Sequence, residues 1–394
     1  MRDILISARR TSLYYPVFVF LGAVIALLGA SLPYLAGNIG VELTSSGYLF
    51  SIRSVGYLLG SFTISRLYDR FPGNKLMALT LTVMALMIVF IPISPYAGVL
   101  AALIFVTGMS LGGMDVGGNT LVMWEYEERS GPYLSGLFFF AGLGGILSPL
   151  LLGWFLEKDV YFGWVFWLLV ILMIPILLGL LRRKSPAPPV ESRSESDGKA
   201  DFWLVVLFGI LFFIYISIEV SYGGWVYSYV LITEPGNVQA ASYLTSAFWL
   251  AITAGRLLAI PFASRAHPRH VLLVSLVGAL ASLGLMLLFP GSFSTAVVGT
   301  VGLGLSIASL SPVTLSLAER SMPIHGRTTG WLWVFGSTGA IITPWLVGRL
   351  IGSINPGAMI AALFVYAAAG VIIFLGLNIY RARRVSSAAL GRDV

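Results

Sequence analysis

Two acidic residues stand inside long apolar runs, where a charged side chain is costly. Asp115 lies in LGGMDVGGNTL, residues 111–121, and Glu219 lies in IYISIEVSYGGWVYSYVL, residues 214–231. A carboxylate in such surroundings suits exchange of a proton or ligation of a small hard cation through oxygen. Asn119 follows Asp115 by four residues, so a helix places both side chains on one face. The glycines around them either let helices approach closely or leave room for a ligand.

Aromatic residues flank Glu219 at helical spacing. Tyr215, Glu219 and Tyr222 recur at intervals of four and three, and the stripe continues through Val226 and Tyr229. Phenol rings beside a carboxylate suit a ligand rich in hydroxyl groups, because the rings cover its C–H faces while oxygens meet its hydroxyls. An aromatic belt at a membrane interface is the other interpretation, and it accounts for Tyr229 better than for Glu219.

Two arginines also fall within apolar runs, and each needs a partner or a cavity. Arg53 precedes Tyr57 by four residues, and Arg256 ends a polar and aromatic series that contains Trp249. Trp331 stands near the start of a later run and is a further candidate for ligand contact. The sequence leaves open which arginine pairs with which carboxylate, and simple pairing of Asp115 with an arginine across the bundle is the alternative to a functional role.

The composition identifies the elements that hold these residues. The 394-residue chain is 57% hydrophobic and 10% charged, against about 25% charged in soluble domains. About 20 helical residues cross the hydrocarbon core of a membrane. We therefore predict an all-α membrane protein with twelve transmembrane helices. The predicted spans are 14–36, 46–65, 75–94, 98–123, 133–155, 161–181, 202–231, 241–263, 269–289, 294–317, 329–351 and 356–380.

The charges and motifs exclude several functional classes. The chain has no cysteine, so disulfides and thiolate sites are absent, and it has neither an H-E-x-x-H nor a Walker A motif. We expect neither an enzyme nor a resident cofactor. The net charge of +7 comes mainly from Lys and Arg on alternate loops, which predicts a plasma-membrane protein with both termini cytoplasmic. We therefore expect the lipid bilayer as a partner and no nucleic acid.

The sequence repeats itself once. Pro149 and Pro344 are 195 residues apart, and the same offset relates other glycines and short motifs of the two halves. A polar segment rich in Pro, Ser and charge separates them, as expected of a flexible linker. We predict an N-terminal six-helix bundle over 1–181, a cytoplasmic linker over 182–200 and a C-terminal six-helix bundle over 201–394.

Two parallel six-helix repeats resemble the major facilitator architecture, in which substrate lies near the midplane between two rocking halves. Residues 60–75, GSFTISRLYDRFPGNK, are similar to the superfamily's loop between spans 2 and 3, although Ser65 stands where that loop usually has glycine. The resemblance implies that Asp69 and Arg70, with the repeat-related Arg265, form a conformational gate. A solvated loop that sets topology is the alternative.

Four stretches resemble the sodium-dependent glucose transporter 1 group: TGMSLGGMDVGGNTL, GYLFSIRSVGYLLGS, EVSYGGWVYSYV and YLTSAFWLAITAGRLLA. The first is also similar to fucose–proton symporters. The resemblance implies sugar uptake coupled to a cation, with Asp115 as coupling or sugar-binding group, Asn119 as a sugar-contacting amide and Glu219 as the acid of span 7. The fucose symporters carry an aspartate four residues before a proline in span 1, where this chain has Gly29, so the sodium-linked branch fits better.

We thus expect a secondary active transporter that moves a neutral sugar, such as a hexose or similar polyol, in symport with sodium or a proton. Asp115 and Glu219 are the expected ion-coupling residues. The expected substrate-binding residues are Arg53, Tyr57, Asn119, Tyr215, Tyr222, Trp249, Arg256 and Trp331. An exporter of drugs or of amphipathic, lipid-like molecules on the same fold is the alternative, and a sensor without transport is a third hypothesis.

Overall fold

The computed structural model describes residues 12–186, 201–263, 267–322 and 326–390, and all regular structure in these ranges is helical. The α-helices are α1 Tyr14–Asn38, α2 Tyr48–Tyr68, α3 Gly73–Phe90, α4 Ala97–Tyr126, α5 Gly131–Glu157, α6 Gly163–Arg182, α7 Phe202–Thr233, α8 Val238–Ala263, α9 Pro268–Leu288, α10 Phe293–Ile307, α11 Leu310–Glu319, α12 Gly326–Ser353 and α13 Gly357–Leu390. These helices form twelve long segments, because α10 and α11 are two parts of one. The predicted fold class is confirmed, with bounds that differ by a few residues.

Ten of the described segments are long and apolar enough to cross a membrane. The other two, α2 and α8, have 21 and 26 residues. Each carries an arginine in its interior, Arg53 or Arg256, which lowers its hydropathy. Both helices pack between more apolar neighbours, α2 against α4 and α12 and α8 against α5 and α10. The polar side chains on the packed faces of the two helices therefore contact protein.

The tenth segment is interrupted between Ile307 and Leu310. Pro312 has no N–H group, so it cannot donate the helical hydrogen bond to the carbonyl of Ala308. The break between α10 and α11 lies at this missing hydrogen bond. This break has no counterpart in α4, which occupies the matching place in the repeat.

Helices α1–α6, here the N-terminal half, pack chiefly on one another, and helices α7–α13, the C-terminal half, do the same. The halves meet where α2 packs on α12, α5 on α8 and α1 on α7. We call this surface the seam. The division at 1–181, 182–200 and 201–394 stays a prediction, and residues 187–200 of the linker lie outside the described ranges.

Two hydrogen bonds across the seam are related by the repeat. Ser51 of α2 donates through Oγ to the carbonyl of Ile341 at 2.5 Å, and Ser246 of α8 donates to the carbonyl of Ile146 at 2.9 Å. Both donors and both acceptors are 195 residues apart. The 195-residue offset in the sequence therefore corresponds to an approximate two-fold symmetry between the two halves of the structure.

The repeat-related prolines contribute to the same contact. Pro344 removes one N–H donor from α12, so the carbonyl of Ala340 has no helical partner. Ser54 of α2 donates to that carbonyl at 3.1 Å. The proline thus frees an acceptor on α12 at the position where a hydroxyl of the opposite half reaches it.

Gly29 of α1 and Gly224 of α7, another repeat-related pair, meet at the seam. A Cβ on Gly29 would lie 2.6 Å from the carbonyl oxygen of Gly224, so only glycine permits this approach. Near the ends of the same helices, the hydroxyls of Tyr34 and Tyr227 are 3.2 Å apart. The hydrogen bonds that join the two halves, among the described residues, all lie toward the end of the bundle where α1 finishes. We call this end the closed end.

Candidate functional site

A carboxylate with two side-chain donors lies on the N-terminal side of the seam. The Tyr57 hydroxyl of α2 donates to Oδ2 of Asp115 in α4. The Asn119 amide donates to Oδ1 of Asp115 at 3.1 Å and to its backbone carbonyl at 2.8 Å. We call these three residues the Asp115 cluster. Each carboxylate oxygen has a donor, and the cluster presents oxygen atoms from a carboxylate, an amide and a phenol.

An ion pair occupies the facing position in the C-terminal half. Arg256 of α8 lies with Nη2 3.3 Å from Oε1 of Glu219 in α7. Tyr215, one turn before Glu219, interacts with both charged groups. We call Tyr215, Glu219 and Arg256 the Glu219 cluster. Phe138 of α5 reaches it from the other half, with its ring centre 5.8 Å from the guanidinium carbon of Arg256.

The two clusters face each other across the seam. Asp115 lies within electrostatic range of Arg256, and Tyr57 lies within range of Glu219. The side chains of Arg256 and Glu219 are 32% and 13% exposed, so the ion pair is reachable although it is central. Both acidic side chains therefore belong to one polar region shared by the two halves.

The glycines around Asp115 serve helix packing. A Cβ on Gly112 would overlap the backbone of Tyr57, and side chains on Gly117 or Gly118 would overlap the rings of Tyr68 and Phe18. Of the two roles that the sequence allowed, close approach of α4 to its neighbours is therefore the one that these three positions have.

Arg53 and Tyr222 are placed away from the seam. Arg53 points into the N-terminal half, where its Nη1 donates to the carbonyl of Ile25 at 2.8 Å. Tyr222 is fully buried in the C-terminal half, and its hydroxyl is 2.5 Å from the Thr300 hydroxyl. The tyrosine stripe of α7 is therefore divided, because Tyr215 faces the site and Tyr222 faces α10.

The two candidate tryptophans differ in position. Trp249 of α8 packs against Gly145 of α5 at the seam, and its buried indole N–H has no acceptor among the described residues. Trp331 at the start of α12 is 50% exposed. Among the described residues neither tryptophan forms a ring stack or a hydrogen bond with either cluster. Trp249 also lies beside Gly223, one turn after Glu219 in α7, and this position brings Trp249, rather than Trp331, close to the site.

The expected gate residues lie far along α2 from the clusters. Asp69 and Arg70 follow the end of α2 and are exposed. Neither forms an ion pair with another described residue. Arg265 lies outside the described residues, so the gate stays a prediction.

The comparisons with known proteins agree with this architecture. The profile described as Major Facilitator Superfamily matches residues 15–234, which is more than half of the chain. The chain belongs to the Major Facilitator Superfamily. It is an integral, multi-pass membrane transporter and no enzyme.

Individual members of the superfamily resemble the chain over most of its length. It is 29% identical to sodium-dependent glucose transporter 1 of Xenopus laevis, over 83% of this chain and 73% of that protein. It is 26% identical to major facilitator superfamily domain-containing protein 4A of Danio rerio, over 93% and 87%. A crystal structure of a nucleoside transporter NupG variant superposes with a TM-score of 0.77 at 12% identity, covering 94% of this chain and 99% of that one. This last similarity concerns the fold alone.

Sequence reasoning missed two groups of this facilitator's seam. Phe138 stands in the run LFFF, and nothing in that run distinguishes the ring beneath Arg256 from its neighbours. The pair Tyr34 and Tyr227 also went unnoticed, although both tyrosines follow the repeat-related glycines Gly29 and Gly224 within a few residues. That proximity is the signal that points to them.

Proposed function

We propose that this facilitator is a secondary active transporter for a neutral hexose or similar polyol, driven by symport of sodium or a proton. The observation that carries the proposal is the pair of polar clusters, one from each half, that face each other across the seam. The name of the Xenopus relative, sodium-dependent glucose transporter 1, supports both the sugar and the cation.

The Glu219 cluster suits a neutral ligand with many hydroxyl groups. Arg256 offers several N–H donors and Glu219 offers two acceptor oxygens, so neighbouring hydroxyls of a sugar can bind both at once. Tyr215 and Phe138 add ring surface for C–H faces of the ligand. Asn119 and Trp249 are positioned to complete the contacts from α4 and α8.

The Asp115 cluster suits a small monovalent cation or a proton. Its carboxylate, amide and phenol oxygens are hard ligands of the type that alkali ions prefer.

The charge balance of the seam gives a reason for coupling. Asp115 and Glu219 carry two negative charges and Arg256 carries one positive charge, so the empty site holds one excess negative charge. Sealing an unbalanced charge away from water is costly. A neutral sugar does not change the balance, whereas one sodium ion or proton restores it. A site that holds both sugar and cation can therefore be closed on both sides more easily than a site that holds sugar alone.

The hydrogen bonds between the halves lie at the closed end, which supports a conformation that opens toward the end where α1 begins. With both termini cytoplasmic in the plasma membrane, this is the inward-open state. Opening the seam at the closed end and closing it at the other end would complete the transport cycle. Asp69, Arg70 and Arg265 would form the conformational gate that holds the alternative state.

Reconstituted protein tests the proposal. Uptake of labelled glucose into liposomes is measured under an imposed sodium gradient, a proton gradient or neither, for wild type and Asp115→Asn. We expect one gradient to drive accumulation in wild type and none to do so in Asp115→Asn. Asp159→Asn is the matched control, because Asp159 lies in a loop at φ 55°, a conformation that asparagine accepts.

Two results would contradict the proposal. Accumulation by Asp115→Asn at the wild-type level removes Asp115 from the coupling mechanism. Saturable efflux of amphipathic cations by the wild-type protein, without glucose uptake under any gradient, would instead favour the exporter alternative.

A further inference from the structure

Tyr57 links the two polar clusters. Its hydroxyl donates to Oδ2 of Asp115, and its phenol also lies within electrostatic range of Glu219 across the seam. Tyr57, Asp115 and Glu219 are all half-buried, so each of them keeps some contact with solvent. The Tyr57 hydroxyl is therefore placed where it can serve either cluster.

The Asn119 amide fixes the hydrogen-bond pattern of Asp115. Its Nδ2 donates to Oδ1 of the carboxylate at 3.1 Å and to the backbone carbonyl of Asp115 at 2.8 Å. A flipped amide would place its oxygen against these two acceptors, so only the present orientation makes both hydrogen bonds. Oδ1 thus keeps its donor, and Oδ2 is the oxygen whose partner can change.

A cation at Oδ2 changes what the Tyr57 hydroxyl can do. An ionised carboxylate only accepts hydrogen bonds, so Tyr57 gives its hydrogen to Asp115 when no cation is bound. A proton on Oδ2 turns that oxygen into a donor, and a sodium ion attracts the lone pairs of neighbouring oxygens. In both cases Tyr57 presents a lone pair, and its own O–H must turn away from Asp115.

The charges around Tyr57 decide where the released O–H turns. Among the described residues, Asp115 and Glu219 are the two carboxylates that act on Tyr57. The charged and titratable groups that act on Asp115 are Tyr57 of α2 and Arg256 of α8, and none comes from α1, α3 or α5, which also pack on α4. The released O–H is therefore drawn toward the Glu219 cluster.

We propose that Tyr57 is a hydrogen-bond switch that couples the cation to the sugar. Without a cation its O–H is held by Asp115. With a cation at Asp115, the O–H donates across the seam to an oxygen of the sugar bound at the Glu219 cluster. Tyr57 keeps its own proton throughout and acts as a positioning residue.

This inference rests on the proposed function, because it requires the cation at Asp115 and the sugar at the Glu219 cluster. It adds the physical link between the two sites. Since the coupling between two bound ligands is reciprocal, the cation strengthens sugar binding by the same factor as the sugar strengthens cation binding.

Glucose binding to the purified full chain in detergent tests the switch. Isothermal titration calorimetry measures the affinity with and without sodium at fixed pH, and at two pH values without sodium. We expect one of the two cations to tighten glucose binding by wild type about 2- to 13-fold, as one additional hydrogen bond does. Tyr57→Phe keeps the ring, and it should bind glucose with the affinity of the cation-free wild type in all conditions.

Tyr68→Phe is the matched control. Tyr68 lies on the same helix, and its ring packs against Gly117 of α4. Its buried hydroxyl has no hydrogen-bond partner among the described residues. Removal of this hydroxyl should therefore leave the wild-type effect of the cation unchanged.

Asp115→Asn should have the opposite effect to Tyr57→Phe. Asn119 donates to the oxygen of the amide introduced at position 115, so the NH₂ group of that amide faces Tyr57 and donates to its hydroxyl, as a bound proton would. We expect this variant to bind glucose with the affinity of the cation-loaded wild type, whether or not the cation is present. This variant decides the matter even if Tyr57→Phe does not fold.

The outcomes separate the switch from the proposed function. A wild-type affinity that no cation changes, a full cation effect in Tyr57→Phe, or the weak cation-free affinity in Asp115→Asn overturns the switch while glucose binding itself stands. A wild-type protein that binds no glucose in any condition overturns the proposed function, and the switch with it.

Discussion

Removal of the two repeat-related serine hydroxyls should loosen the closed end of the seam. Ser51 and Ser246 each donate one hydrogen bond to a backbone carbonyl of the opposite half. Their acceptors, Ile341 and Ile146, lie within helices, and the residues four positions later, Trp345 and Leu150, have N–H groups that can donate to them. The substitutions Ser51→Ala and Ser246→Ala therefore remove the cross-seam bonds without leaving an unsatisfied acceptor.

The expected magnitude follows from bonds between membrane helices. Such bonds contribute about 0.6 kcal/mol on average, and typical protein hydrogen bonds contribute about 1 kcal/mol. The double variant should thus destabilise the closed end by roughly 1.2–2 kcal/mol. That corresponds to an increase of about 8- to 30-fold in the ratio of open to closed seam.

Cysteine labelling measures this ratio without background, because the chain contains no cysteine. Ser242 is 1% exposed and faces Gly153 across the seam, so Ser242→Cys reports opening. The rate at which this cysteine reacts with a maleimide is compared between proteins with and without the serine substitutions. The reaction is done in detergent, where both ends of the bundle are accessible. We expect a rate increase of about 8- to 30-fold in the double variant and a smaller increase in each single variant.

A matched control separates the seam from a general effect of removing serine. Ser61 donates to the carbonyl of Tyr57 within α2 at 2.9 Å, so Ser61→Ala should leave the labelling rate unchanged. An unchanged rate in the double variant, or an equal increase in the Ser61→Ala protein, would refute the interpretation that the two hydrogen bonds hold the closed end together.

Three further predictions concern packing and the site. Gly108→Ala should destabilise the protein by about 1–3 kcal/mol, because its Cβ would overlap the backbone of α2. Gly98→Ala in the same helix, where a Cβ would have nothing within 4 Å, should be neutral or should stabilise the protein by up to about 1 kcal/mol. Thermal unfolding compares the two variants. Trp249→Ala should reduce glucose uptake strongly and Trp331→Ala only slightly in the liposome assay, and equal effects would contradict their placement. Glu219→Gln should weaken glucose binding about 13- to 160-fold, since a hydrogen bond to a charged group contributes about 1.5–3 kcal/mol; wild-type affinity in a binding titration would exclude Glu219.

Much of the fold could be predicted from sequence, because membrane spans are specified by local composition. The twelve predicted spans correspond to the helical segments, including α2 and α8, whose arginines reduce their hydropathy. The 195-residue offset also predicted which positions are equivalent. The close approach of Gly29 to Gly224 and the paired bonds of Ser51 and Ser246 are direct consequences of that repeat.

The break in the tenth span was not predicted. Pro312 alone does not specify it, since Pro149 and Pro344 lie inside continuous helices. A proline inside a helix frees a backbone carbonyl, and a neighbouring helix can supply a donor for it, as Ser54 does for the carbonyl of Ala340. Whether such a donor is present depends on tertiary packing.

The site was predicted in part. Helical spacing placed Asn119 beside Asp115, and the cost of charge in an apolar run pointed to Asp115, Glu219 and Arg256. The same argument pointed to Arg53, which the structure places inside the N-terminal half. Spacing along one helix fixes the direction of a side chain relative to its own helix only, so it could not distinguish the seam from the interior of a half.

The sequence by itself determined the class, the number of helices, their repeat and the few polar side chains that apolar surroundings must accommodate, because each of these depends on local hydropathy and spacing. Only the tertiary structure decided that Arg256 pairs with Glu219, that Tyr57 donates to Asp115, that the glycines of α4 pack against neighbouring helices and that Arg53 points into the N-terminal half. These outcomes depend on how helices distant in the chain rotate and approach one another, and a single sequence carries no direct record of that.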